Sequence, residues 1–507
     1  MAEDYKTRIG RMIQGQRQNR QMTQKQLGDA LSTSQSAINR IEKGKQNISL
    51  EMLARISEVL DSDIISINRN GKTNYKIRGG QKLSGTIDVK TSKNAAVALL
   101  CASLLNKGKT TFRHLAKIEE INRLIEVLES IGVGCKWLNE HGDLEITPPS
   151  KLNLSNMDIT AAKRTRSIIM FLGPLLHQYP EFQLPFAGGC TLGTRTVEPH
   201  LLGLKHFGMC VETKNNKYDI KTNKKTVDED IVLVERGNTT TENIMMAAAL
   251  YEGTITLKNA SNDYMIIDLC HFLQLLGVKI EGIGSTTLKI TGRKSINKNV
   301  EFYPTEDPIE AMSLLAAGIL TDSEITVARL PIDYLEIELA ILRTMGLQYK
   351  LSKKYLSKNN FSNLVDLTLI NSPLMAPKDK ITTFPGSVNM DNLPFLGLIA
   401  TKAKGRTLLH DWPYETRAIY FTDLTKLGAK IDLLDPHRVY ISGPTKWKSA
   451  DVVAPPALRP SVVVMLAMLA APGESVLRDV YNIQRGYQDL PSRLNKLGAD
   501  IQVITSL

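Results

Sequence analysis

Leu124-Ile-Glu-Val-Leu-Glu-Ser-Ile-Gly-Val-Gly-Cys-Lys-Trp137 decides the fold, because it is one of six copies of a single pattern: an amphipathic helix that stops at a glycine and runs into a strand. The others are LLGLKHFGMCVET (201–213), FLQLLGVKIEG (272–282), ILRTMGLQYKL (341–351), DLTKLGAKIDL (423–433) and RLNKLGADIQV (493–503). Their helix-ending glycines are Gly132, Gly208, Gly277, Gly346, Gly428 and Gly498, roughly seventy to eighty residues apart. Each copy has a second helix of small and apolar residues leading to its own strand, as in NAAVALLCASLLNKGKTTF (94–112) and VVVMLAMLAAPGESVL (462–477). Helices so rich in Ala, Leu and Met have no good solvent face and are expected to be buried on nearly all sides. The reading is an α/β chain of six repeated units with helices wrapped in sheet. A chain of 507 residues divides such an array into two globules of three.

Outside the repeats, the bulk properties exclude several classes. With 42% hydrophobic and 23% charged residues, the composition is that of a soluble globular protein. The longest apolar run, Ser461 to Ala471, is bounded by Arg459, Pro460 and Pro472 and is far shorter than the roughly 20 residues a membrane span needs. The first residues, MAEDYKTRIGRMIQGQRQNRQ, carry charge throughout and no apolar core of a signal peptide, so a cytoplasmic location without membrane association is expected. The five cysteines show no CxxC spacing, which points to neither a metal site nor a disulfide framework. A formal charge of +11 favours anionic partners, either nucleic acid or phosphorylated small molecules.

The first seventy residues are a different object. Thr23 and Gln26 form a capping-box pattern ahead of a short helix with Leu27, Ala30 and Leu31 on one face. A second helix, Ser34 to Lys43, turns Ala37, Ile38 and Ile41 inward and Gln35, Ser36, Asn39 and Arg40 outward. Gly44 stops it, and Ser49 to Leu60 supplies another amphipathic helix. The string TQKQLGDALSTSQSAINRIEKG resembles the helix-turn-helix domain of phage-repressor-like regulators. The resemblance implies DNA binding, with the second motif helix in the major groove and Gln35, Ser36, Asn39 and Arg40 as readers. Gln24 would touch phosphate, and Lys43 and Lys45 would add sequence-independent attraction. Paired half-sites make a homodimer plausible. The expected division is residues 1–67 for this all-α bundle, 68–74 for a linker rich in Asn and Gly, and 75–507 for the repeats.

The repeats resemble the enolpyruvyl transferases of the UDP-N-acetylglucosamine carboxyvinyltransferase type, whose fold is a two-globule inside-out α/β barrel. That family moves enolpyruvyl from phosphoenolpyruvate to a hydroxyl and releases phosphate, with no metal or other cofactor, in peptidoglycan biosynthesis. Lys93 and Asn94, in VKTSKNAAV, match the family's Lys-Asn pair, for the phosphate and the acceptor sugar respectively. Arg195, in GGCTLGTRTVEPH, and Arg485, in IQRGYQ, match arginines on that phosphate; Arg417, in YETR, and Arg459, in ALRPS, match those on the carboxylate. Cys190, in AGGCTLGTR, matches the proton donor to the methylene carbon, the residue fosfomycin alkylates. Asp391, in NMDNLPFL, matches the aspartate that takes the acceptor's proton, although FPGSVNMDNLP is longer than the family spacing. Glu120, in IEEIN, would add an acid across the cleft and pair with Arg417. Lys163, Arg166, Thr196, Val197, Glu198, His200 and Pro413 correspond to positions around the nucleotide-sugar.

Three departures bear on the acceptor. Arg236, Gly237 and Asn238 stand where the family has a hydroxyl- and glycine-rich diphosphate loop. An expected acidic pair becomes Asp263-Tyr-Met265, and an acid before the late arginine becomes Ala457. The resemblance therefore leaves three readings open. The chain transfers enolpyruvyl to UDP-N-acetylglucosamine or a related nucleotide-linked acceptor, transfers it to a different nucleotide, or uses the transferase fold as the metabolite sensor of a transcriptional regulator.

Overall fold

The computed structural model describes all residues except 1–8, 11, 12, 16, 19, 21, 61–71, 187–195, 215, 216, 224, 225, 385 and 507. The chain separates into two compact units, divided between Gly71 and Lys72.

In the N-terminal unit three helices, Gln24–Ala30, Gln35–Glu42 and Leu50–Val59, pack with a preceding helical segment around Ile13, Leu27, Leu31, Ile38, Ile41, Leu53, Ile56 and Leu60. Thr23 caps the first through a reciprocal bond with Gln26, and Ser34 caps the second by accepting from the Ala37 amide. The turn between them is tight enough that a Cβ on Gly28 would stand 2.9 Å from the Thr33 carbonyl oxygen.

Among the described residues the second unit contains six sheets, each with an associated buried helix. Two separate cores divide it, one formed by residues 95–302 and the other by residues 75–89 together with 309–501. The division into globules is thus not sequential: strands Lys72–Gly79 and Ser84–Asp88 belong to the second globule, although they precede the whole of the first. Lys72–Gly79 pairs antiparallel with Gly473–Arg478 and with the last strand, Asp500–Ser506. That pairing starts at Lys72, so the last three residues of the expected linker are strand. Their amides and carbonyls have a partner strand, which outweighs the turn composition of Asn68–Asn74.

The chain passes between the globules twice. Strand Ser84–Asp88 of the second globule leads into helix Lys93–Ala102 of the first, and strand Val300–Phe302 of the first leads into helix Pro308–Leu320 of the second. Each of these strands pairs in parallel with the strand that follows the other's helix, Ser84–Asp88 with Glu324–Pro331 and Val300–Phe302 with Thr110–Phe112. The two globules thus exchange equivalent strands. Where the crossovers meet, the Ser92 amide donates to the Thr305 carbonyl and the Asp307 amide to the Lys90 carbonyl, both at 2.8 Å.

All thirteen residues of Pro308–Leu320 and all eight of Leu393–Ala400 are buried, as expected of helices without a polar face. Among the described residues no helix is long and apolar enough to cross a membrane. The six glycines that end the amphipathic helices have φ of 97°, 86°, 97°, 101°, 98° and 99° in chain order. Each lets the chain reverse in the left-handed region and enter its strand.

Gly498 isolates the backbone part of that requirement, since a Cβ there meets nothing nearer than the Lys82 carbonyl oxygen at 3.6 Å. Gly498→Ala is expected to lower the unfolding free energy by about 1–2 kcal/mol, read as a fall in the urea midpoint at unchanged slope.

Candidate active site

The cleft between the two globules collects side chains from separate repeats. Lys93 is the first residue of its buried helix, directly after the crossover. Ser92 caps that helix by accepting from the Ala95 amide, and the Lys93 amide donates to Asp307 Oδ2 at 3.2 Å. Burial pushes the Lys93 ammonium below its usual range, Arg459 and Arg485 push the same way, and Glu120 and Asp391 oppose them. Lys93 therefore shares one electrostatic neighbourhood with all four residues.

Glu120 lies at the start of helix Glu119–Ser130 and is 4% exposed. Arg485 donates to its Oε2 from Nη2 at 2.6 Å and from Nε at 3.2 Å, while the Thr165 hydroxyl donates to Oε1 at 2.7 Å. Burial alone would raise this carboxyl, but Lys93, Arg485 and the Thr165 bond outweigh it and hold the group below its ordinary value. The expected partner, Arg417, is elsewhere. It is buried against Asp411, donating to Oδ2 at 3.1 Å, and its Nη2 donates to the Met390 carbonyl at 2.7 Å. Geometry explains the correction: Asp411 is only six residues from Arg417, whereas Glu120 belongs to the other globule, where Arg485 reaches it.

Asp391 sits just ahead of helix Leu393–Ala400, with Arg459 Nη2 3.9 Å from its Oδ2. Arg459 is itself buried, with its guanidinium 5.4 Å above the Tyr487 ring. Lys93, Glu120, Asp391, Arg459 and Arg485, read separately in the sequence, are thus neighbours, and Arg417 joins them through the backbone beside Asp391. Asn94 follows Lys93 on the same helix and is half-buried. Cys190 and Arg195 lie outside the described residues.

The positions matched to the nucleotide-sugar divide. Arg166 Nη2 donates to the Thr196 carbonyl at 3.1 Å, and Lys163 is exposed on the short helix Ile159–Arg164. Val197 and Glu198 begin helix Glu198–Lys205, and Pro413 is half-buried beside Arg417. His200 is not a loop contact: it is 5% exposed within that helix, with Nδ1 3.1 Å from Asn243 Nδ2. Burial and the nearby Arg166 lower it to about 4, so its ring is neutral at physiological pH. Gly237 is the N-cap of helix Asn238–Ala249, Arg236 Nε donates to Asn259 Oδ1 at 3.1 Å, and Asn238 Nδ2 donates to Asp263 Oδ2 at 3.1 Å. Asp307, Thr165, Tyr487, Glu338 and Asn389 were not singled out in the sequence, where a lone polar residue on a helix or turn carries no signal of what it faces.

In the N-terminal unit, Gln35, Ser36 and Arg40 are exposed on one helix and Asn39 is half-exposed beside them. Lys43 is exposed at the C-cap. Gln24 is directed inward, where its amide donates to Glu42 Oε2 at 2.7 Å. Glu42 also accepts from Arg17 at 2.6 and 3.1 Å, and Gln24 itself is half-buried.

Residues 77–494 match the EPSP synthase (3-phosphoshikimate 1-carboxyvinyltransferase) family, and residues 13–66 match the helix-turn-helix family. The chain is similar to the UDP-N-acetylglucosamine 1-carboxyvinyltransferase of Treponema denticola, 32% identical over 433 residues that cover 85% of this chain and 99% of that protein. The enzyme of the same name from Campylobacter hominis is 32% identical over 436 residues, covering 84% and 98%. Among solved structures, the enolpyruvyl transferase NikO from Streptomyces tendae shares the fold with a TM-score of 0.74 at 23% identity, over 86% of this chain and 100% of that one. EPSP synthase from Acinetobacter baumannii does so with a TM-score of 0.66 at 15% identity, over 85% and 100%.

Asp263 gives the cleft a measurable pH signature. Burial, with Asp391 and Glu338 adding repulsion, raises its carboxyl to about 6 against the opposing bonds from the Tyr264 amide and Asn238. Because the folded value lies above the unfolded one of about 3.9, the stability this group contributes is complete below pH ~4 and is lost as pH climbs through 6. Between pH 4 and pH 8, Asp263→Asn is expected to gain on the wild type by about 1–3 kcal/mol, measured by urea unfolding at each pH.

Proposed function

Because the chain belongs to the EPSP synthase family of enolpyruvyl transferases, we propose that its second unit transfers enolpyruvyl from phosphoenolpyruvate to a hydroxyl of UDP-N-acetylglucosamine or a related nucleotide-linked acceptor, and that its first unit binds DNA. The observation that carries the first reading is the meeting of residues from repeats far apart in the chain: Arg485 donates to Glu120 of the other globule at 2.6 Å, and Arg459 stands 3.9 Å from Asp391, with Lys93 in the field of all four. Such a grouping of partly desolvated cations suits a small phosphorylated carboxylate, and a neighbouring acid supplies a base. Membership of the family makes phosphoenolpyruvate the donor, and the relatives named for UDP-N-acetylglucosamine support the acceptor.

In the proposed chemistry, Lys93, Arg195 and Arg485 hold the phosphate, and Arg459 the carboxylate, with Arg417 lending charge from its place against Asp411. Asp391 takes the proton of the acceptor hydroxyl as its oxygen bonds to C2 of phosphoenolpyruvate, and Cys190 protonates the methylene carbon. The tetrahedral adduct then loses a proton from the resulting methyl group as the bond from C2 to the phosphate oxygen breaks. This releases phosphate and restores the double bond. Lys163, Arg166, Thr196, Val197, Glu198, Arg236, Gly237, Asn238, Pro413 and Asn94 would frame the nucleotide-sugar. His200, buried and neutral, supports the Asn238–Ala249 helix through Asn243 instead. Ala457 and Asp263 favour testing other nucleotide acceptors beside it. The reaction belongs to peptidoglycan precursor synthesis in the cytoplasm.

Phosphate release from phosphoenolpyruvate should require UDP-N-acetylglucosamine or a related nucleotide-linked acceptor and be abolished by fosfomycin. Arg485→Met should lower kcat/KM for phosphoenolpyruvate about 10- to 150-fold, the loss of one charge-assisted contact of ~1.5–3 kcal/mol. Asp391→Asn should lower kcat about 100-fold or more. No phosphate release with any nucleotide acceptor, together with ligand-dependent DNA binding that survives Cys190→Ala, would overturn this reading in favour of a sensor.

For the first unit, fluorescence anisotropy against selected duplexes checks the reading face. Arg40→Ala or Asn39→Ala should each weaken specific binding by about 1–3 kcal/mol, and Lys43→Ala should weaken all sequences alike and reduce the salt dependence.

A further inference from the structure

On the Asp391 side of the cleft a hydrogen-bonded chain runs from one globule to the other. Asn389 stands two residues before Asp391, and its Oδ1 accepts from the Asp391 amide at 2.9 Å, closing the turn that carries the acid. Its Nδ2 donates at 3.2 Å to Oδ2 of Asp263, which belongs to the other globule and also accepts from Asn238. Its backbone amide donates at 3.1 Å to Oε1 of Glu338, and Asn392 Nδ2 donates to that same oxygen at 3.0 Å. Glu338 and Asn392 are 2% and 0% exposed. Glu338 therefore clamps both ends of the segment 389–392, and Arg417 grips its middle through the Met390 carbonyl.

The Glu338, Asn392 and Arg417 contacts are made within the second globule and persist whatever the first one does. The Asp263 bond differs, because it exists only while the globules are together. Asp263 is itself held on the first globule, where it caps the helix Tyr264–Leu275 by accepting from the Tyr264 amide at 2.8 Å and accepts from Asn238 at 3.1 Å, so the acceptor that Asn389 meets has a fixed place.

We propose that Asn389 is a cross-cleft positioning residue, coupling closure of the two globules onto substrate to the placement of the Asp391 carboxylate, with Glu338 as its rigid anchor. Asn389 reads the position of the opposite globule with its amide nitrogen and sets the Asp391 turn with its amide oxygen. Closure and base placement are thereby one event. This rests on Asp391 acting as the acceptor's base.

The test is a double-mutant cycle of Asn389→Ala and Asp263→Ala in the full chain, with two readouts. In phosphate release, each single variant should lose about tenfold or more in kcat with KM for phosphoenolpyruvate changed less than about twofold, and the double variant should fall no lower than the worse single. Glu338→Gln, which keeps an acceptor oxygen, should retain activity that Glu338→Ala loses. Asn389→Asp should be most impaired at pH 8, where two carboxylates face each other, and recover towards pH 5, where Asp263 is protonated and donates. Additive losses, or losses confined to KM, overturn the proposal. Hydrogen exchange of the amides from Ser387 to Asn392 needs no turnover: each single variant should accelerate it and the double variant no further, and additivity there also overturns the bridge. If exchange is coupled while no nucleotide acceptor supports phosphate release, the bridge stands as a closure contact, whereas the proposed reaction and the placement of a base by Asn389 fail.

Discussion

The pairing of the two crossover segments is the constraint on which the site depends. A chain that passes between two globules twice could do so through independent linkers, leaving their relative placement loose. Here Lys90 to Ser92 and Thr305 to Asp307 bond to one another, and Thr91 and Glu306 form an antiparallel bridge. The exchanged strands make this a property of both sheets at once, since displacing either crossover would pull Ser84–Asp88 from Glu324–Pro331 or Val300–Phe302 from Thr110–Phe112. Lys93 is the residue that benefits most. Its backbone is tied to Asp307 and its helix is capped by Ser92, so the start of its side chain is held where the two crossovers meet.

On the second globule's side of the site, charge is buried together with partners from the same globule. Arg417 and Arg459 are 6% and 7% exposed, and isolated guanidinium groups at that depth would cost several kcal/mol. Each has an acid in reach: Asp411 for Arg417, and Asp391 for Arg459. The geometries are unequal in an informative way. Asp411 is in direct contact with its arginine, whereas Asp391 stands 3.9 Å from the nearest Arg459 nitrogen. Arg417 in turn holds the backbone beside Asp391, so part of the positive charge serves to position the acid instead of neutralising it.

The repeats made most of the second unit legible from sequence, because buried helices and helix-ending glycines are decided locally. Gly132 through Gly498 each need the left-handed region, and no neighbour has to be known to see it. Exchange of the strands was not legible, since Ser84–Asp88 has the same local character whichever sheet it joins. At the site, Lys93, Arg459 and Arg485 could be read through resemblance, but not their partners. Glu120 carries no mark that selects Arg485 over Arg417; only the three-dimensional contact does. His200 failed for a related reason. Its place after the Cys190 loop suggested a contact, while the helix from Glu198 turns the ring into the core against Asn243.

The N-terminal unit solves a comparable problem with fewer means. Its core is small, and at this size hydrophobic burial alone fixes helix orientation weakly. Glu42, buried at the end of the reading helix, accepts from Arg17 of the preceding segment and from Gln24 at the head of the first motif helix. One carboxylate thereby ties three parts of the bundle. The angle at which Gln35, Ser36 and Arg40 project is then set by directional bonds together with the fit of the aliphatic core.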